Sequence, residues 1–181
     1  MGYSVSWLAI RGKDPSEVRD ELGVSGTGEH EDVPESPLLG ADLPGGWYLL
    51  FANRCDYADN APLAKLSRRG ELVTCAVEEH VMYSSAAGWR DGSPLWSIVH
   101  DCQQGAEHLD AQGELPPPFA SIRDRLMAEQ ADRADADYVF DVPVEVAKAL
   151  TGFRHDEDIA GAPAEPFERL VARRKWWQVW K

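Results

Sequence analysis

Residues able to do acid–base or metal chemistry gather around three histidines. His100, Asp101 and Cys102 stand in a row; Glu78, Glu79 and His80 form a second group, and His108 follows. A histidine close to a cysteine can convert its thiol to a nucleophilic thiolate. His100 and Cys102 are two residues apart, so they share a face if one strand carries both. Asp101 then points to the opposite face, and any carboxylate that orients His100 has to come from elsewhere in the chain. No nucleophile signature surrounds Cys102, and DCQQG reads equally as a strand end and turn. Zinc needs convergent ligands, and here His80, His100 and His108 are scattered one per strand, so that only a meander could bring them together with Glu78 and Glu79. These arrangements define an enzyme reading: a metal-dependent or Cys/His hydrolase with its site on a sheet around His80 and His100.

A second group of residues suits binding rather than catalysis. The chain ends in ARRKWWQVWK, which interleaves Arg173, Arg174 and Lys175 with Trp176, Trp177 and Trp180. Tryptophan is enriched at interfaces, and basic neighbours favour acidic surfaces. From Glu168 onward five basic residues stand against one acid, a net +4, which leaves −17 on residues 1–167. Three readings follow for these six residues: docking on the acidic body, contact with a partner or a second copy, and contact with an anionic membrane. The last ranks lowest because the basic charge is modest for a membrane anchor.

The whole-chain charge of −13 argues against nucleic acid as a partner, since phosphate contact needs a basic footprint. It fits a basic protein partner instead. A hydrophobic fraction of 44% with seven Trp in 181 residues is enough for a packed core. Three cysteines, Cys55, Cys75 and Cys102, are widely spaced without a CxxC pair, which fits a reducing compartment. No long apolar run marks a membrane helix, and the first residues do not read as a secretion signal. The expected setting is the cytoplasm. Phosphate-loop, nucleophile-elbow, HExxH, kinase and calcium-loop spacings are all missing, and no cofactor is expected.

The elements that must position these residues are legible from pattern. YSVSWLAI alternates as a strand, and Asp14-Pro15 with Glu17 starts a helix that Gly23 stops. Residues 24–46, rich in Gly, Pro, Ser and acids, read as a long loop. GWYLLFAN suits a strand buried on both faces. Strands are expected at ELVTCAVEE, HVMYSSAAGW and PLWSIVHD, the last two joined by a hairpin turn at RDGS, with another near residues 107–116. Helices are expected at 62–69, from Phe119 to about Ala134, and after Asp141. The fold class is α+β: a single domain with a mostly antiparallel sheet of about five or six strands, helices packed mainly on one face, and a C-terminal helix or tail. The expected division is a globular domain over 1–153, a polar linker over 154–166 and a basic Trp-rich segment over 167–181.

The segments VEEHVMYSSAAGWRDGSPLWSIVHD, HLDAQGELPPPF and VPVEVAKALTGFRHD resemble those of a family of small soluble bacterial proteins to which no activity is assigned. The resemblance covers about residues 3–157, implies a bacterial cytoplasmic setting and supplies no catalytic residues. The sequence therefore favours a non-enzymatic protein–protein interaction module, and an immunity- or antitoxin-like role would suit an acidic protein of this size. The hydrolase around His80 and His100 is the alternative.

Overall fold

β1 (Ser4–Arg11) is the strand around which the rest is arranged. Its alternation of side chains feeds two separate cores. Val5, Trp7 and Ala9 belong to one hydrophobic cluster, while Leu8 and Ile10 belong to another. Successive side chains of a strand point to opposite faces, so the sheet is covered on both. The computed structural model describes residues 2–133 and 136–173.

Asp14 caps α1 (Pro15–Leu22) by accepting a hydrogen bond from the Ser16 backbone N–H at 2.8 Å, and Gly23 ends it in the left-handed conformation. The 24–46 stretch is not a loop. It forms β2 (Val24–Glu31) and β3 (Leu38–Leu43). β2 is an exposed edge strand of Gly and charged residues, so it lacks the alternation that marks a half-buried strand. β4 (Trp47–Ala52) is buried along its whole length. Two single-turn helices, α2 (Tyr57–Asn60) and α3 (Leu63–Leu66), precede β5 (Glu71–Glu78), β6 (Tyr83–Arg90) and β7 (Ser93–Asp101). Asp91 and Gly92 both have positive φ, the geometry of a type I′ hairpin turn. Opposite it, Trp96 pairs with Gly88 and its indole covers the glycine so closely that a Cβ there would meet Nε1 at 2.1 Å.

β8 (Asp110–Gly113), α4 (Phe119–Asp132), α5 (Asp141–Thr151) and β9 (Phe167–Ala172) follow. The strands form one sheet in the order β2-β9-β3-β4-β1-β5-β6-β7-β8, with every pairing antiparallel. The molecule is thus α+β with a mostly-sheet core, and the nine strands among the described residues correct the expected five or six. β2, β3 and β9 account for the difference. Val142, Val144 and Val146 of α5 and Leu126 of α4 join the cluster of Trp7. Val18 of α1, Ala58 of α2 and Leu66 of α3 join that of Leu8. The 154–166 stretch contributes the buried His155 and Ile159, and the first residues of the basic C-terminal segment form the inner strand β9. Among the described residues no helix is long and apolar enough to cross a membrane.

Candidate functional site

The histidines singled out by spacing do not work together. His100, in β7, has no exposed surface. Its Nδ1 lies 2.8 Å from the His108 carbonyl and its Nε2 lies 3.0 Å from Asp137 Oδ2. A carbonyl only accepts, so Nδ1 donates to it, while Nε2 faces the Asp137 carboxylate. Both ring nitrogens are committed, and neither is free to serve as a base. Asp137 also accepts from the Phe140 N–H, so the pair ties the segment before α5 to the sheet. His108 accepts the Asp101 N–H at 3.0 Å through Nδ1. His80 is 62% exposed and bonds Glu78, two residues away, at 2.6 Å. Cys102 is exposed in a short turn after β7 has ended, so the shared strand face with His100 does not exist. Burial pushes the Cys55 thiol up to about 11 and holds the Cys75 thiol well above its ordinary value, which removes thiolate character from both. Among the described residues, no group of three or more His, Cys, Asp or Glu side chains is placed to hold a metal ion.

The structure draws attention instead to the segment after α5. Gly152 ends that helix with φ 77°, and Phe153 then inserts between Trp7 and Phe51, with ring centroids 5.5 and 6.1 Å away. Arg154 follows as a hub only 15% exposed. Its guanidinium reaches Glu145 at 2.6 Å and Asp141 at 2.9 Å on α5, and Asp156 at 2.7 Å within its own segment. Burial works against the charge of Arg154, but the carboxylates of Asp156 and Asp141 outweigh it and hold its pKa above the ordinary value. Burial raises the Asp141 pKa even with Arg154 beside it. The hub fixes the backbone on either side of His155.

His155 is 8% exposed, and neither ring nitrogen has a hydrogen-bond partner among the described residues. Glu79 Oε1 stands 4.0 Å from Nε2 and Asp156 Oδ1 stands 3.9 Å from Nδ1, both beyond hydrogen-bonding reach. Burial lowers the His155 pKa, so the ring is neutral near pH 7. Trp7, whose Nε1 is likewise buried without a partner, lies 5.8 Å away between ring centroids, and Tyr3 packs edge-on at 4.8 Å. Most buried polar atoms find a partner, so three orphan nitrogens in adjacent rings call for an explanation.

His155 and Tyr3 border a cleft of about 460 Å³, with Trp7 behind the imidazole. Asp32, Asp156, Glu157 and Asp158 line it together with His155 and apolar side chains, and among the described residues no Lys or Arg does. Asp156 is engaged by Arg154 and Glu157 by Lys148 at 2.6 Å. Asp32 and Asp158 have no ion-pair partner among the described residues. The site favours a cation that also donates hydrogen bonds. Sequence reading missed it because RHDED lies in a polar stretch. The available signal was an apolar Phe153 directly after a helix-ending glycine.

A second cleft, of about 370 Å³, is lined by Trp47, Trp89, Trp96 and Pro117 with Arg11 and Arg90. Arg11 stacks on Trp47 at 4.5 Å, and both arginines are paired with Glu71. Glu114 is the one lining charge without an ion-pair partner among the described residues, and no buried polar side-chain atom of this cleft lacks a hydrogen-bond partner among them.

Of the tail residues expected to bind, only Arg173 is among the described ones. Its N–H donates to the Gly23 carbonyl at 2.8 Å, Nε donates to Ser25 Oγ at 2.8 Å, and its guanidinium pairs with Asp20. Arg174, Lys175, Trp176, Trp177 and Trp180 lie outside the described residues. No family model matches the chain, and neither the curated proteins nor the solved structures contain a significant match.

Proposed function

We propose that this protein is a non-enzymatic recognition module for a basic protein partner, with the cleft beside His155 as its main contact. The observation that carries the reading is a cleft lined by four carboxylates and, among the described residues, by no cation, on a chain of net charge −13. Such a surface attracts basic partners at long range and disfavours acidic ones, and rim charges act chiefly on association rate and salt dependence. An immunity- or antitoxin-like role is a narrower form of the same reading. The basic Trp-rich residues Arg173 to Lys181 are proposed as a second contact, supported by their composition. The hydrolase alternative around His80 and His100 draws less support, because His100 is enclosed with both nitrogens bonded.

The test is retention from a lysate of the source organism on three immobilised chains: wild type, Asp32→Asn/Asp158→Asn, and a chain cut before Arg173. The expected result is a basic protein held one-to-one by the wild type, weakened at least tenfold by the double substitution and released by raised salt. Loss on truncation alone would move the contact to the tail. Equal retention by all three chains, or retention of acidic proteins, would overturn the reading.

A further inference from the structure

We infer that the cleft beside His155 receives an arginine side chain of the partner, its guanidinium shared between the free carboxylates and the unbonded imidazole. This rests on the recognition reading above and names the group that is recognised. The four carboxylates alone would accept any cation. The enclosed histidine narrows the choice. A neutral imidazole offers one accepting nitrogen and one N–H, and both are unpartnered in His155, a residue 8% exposed on the wall of the cleft. A guanidinium presents five N–H donors in a rigid planar fork, so it can grip a carboxylate with two and still offer another to the imidazole. A lysine ammonium is a compact, strongly hydrated point charge and is poorly suited to spanning both.

The other walls fit the rest of the side chain. Val33, Ile159, Pro163 and Phe167 supply apolar surface for a methylene stem, and Asp32 and Asp158 are the carboxylates not already engaged. Tyr3 is the movable wall. Its backbone is tied to Glu79 by two hydrogen bonds, but its ring, edge-on to His155 at 4.8 Å, belongs to a residue 45% exposed, and a swing of that ring uncovers the imidazole. Three charged groups face His155, Glu79 just past the end of β5 and Asp156 and Arg154 on its own segment, together with the Tyr3 phenol, and an incoming guanidinium would be a fourth charge. Protonation of the imidazole would remove its accepting nitrogen and repel the ligand, so binding weakens as the pH falls.

The experiment is a titration of the full chain, labelled with ¹⁵N in its histidine rings, with N-acetyl-arginine methylamide. The His155 signals are assigned by their loss in His155→Gln. N-acetyl-lysine methylamide and the uncharged citrulline analogue serve as comparison probes. The expected result is a saturable shift of the His155 ring nitrogens with the arginine probe. Binding is at least fivefold weaker with the lysine probe, absent with citrulline, and lost in Asp32→Asn/Asp158→Asn, whose melting temperature is unchanged. An unmoved His155 under the arginine probe, or the same response to all three probes, overturns the inference. If His155 is unmoved while the double substitution still abolishes capture of a basic protein, the arginine assignment fails and the recognition reading stands. If the arginine probe binds but no basic protein is retained, that reading fails and the pocket assignment stands.

Discussion

A histidine closed off from water with neither ring nitrogen bonded titrates in a definite direction. Burial lowers the His155 pKa in the folded chain below the ordinary value of about 6.5 that applies once the chain is unfolded. Above that value both states are neutral, and the residue adds no pH dependence. As the pH falls through it, the unfolded chain takes up a proton that the native chain does not, and stability drops with a slope of at most about 1.4 kcal/mol per pH unit. Denaturant melts between pH 7 and pH 5 should show this loss in the wild type and lack it in His155→Gln; parallel curves would mean that the ring is not held neutral. Little of this was visible at the level of single residues in the sequence. The histidines that spacing favoured, His80 and His100, are respectively solvent-facing and locked between a carbonyl and Asp137. Asp137 lies 37 positions from His100, and no local pattern connects them.

At the scale of elements, the join between α5 and the segment that follows it rests on Arg154. Removing that guanidinium strands Asp141, whose carboxyl burial already disfavours as an anion, and Asp156, and leaves Glu145 with Arg125 at 3.8 Å. Arg154→Ala should cost roughly 3 kcal/mol, the lower end of what breaking a buried ion pair costs, and Arg154→Lys should recover only part of it because a lysine cannot span three carboxylates. Equilibrium urea unfolding measures both, and a loss below about 1 kcal/mol, typical of surface pairs, would show the hub to be peripheral. Elements were read well where a local rule governs them. Asp14-Pro15 and Gly23 bounded α1, Asp91-Gly92 marked the β6–β7 hairpin, and the apolar run 47–52 gave the fully buried β4. They were missed where pairing across the sheet overrides composition. β2 is a strand because β9 bonds to it from some 140 residues away, with Gly28 N–H and Thr27 both reaching β9. Nothing in VSGTGEHE announces that partner.

On the scale of the whole molecule, a nine-stranded antiparallel sheet with helices contributing to two separate cores supplies a rigid frame, and the chain after α5 lies across that frame to form the cleft. The α+β class could be read from the order of elements, because a meander of consecutive strands, β5 to β8, is followed by two consecutive helices, α4 and α5. The position of the cleft could not, since it depends on Tyr3, Asp32 and residues 155–167 meeting from three distant parts of the sequence. The acidity of the molecule, by contrast, is a property of composition and was legible at once. The central claim is that this cleft is where a basic partner sits. Amide hydrogen exchange along the full chain, with and without the basic protein it retains, tests this most directly. The account predicts added protection at residues 32–34 and 153–167. Protection confined to other surfaces, with those two stretches exchanging as before, would contradict it.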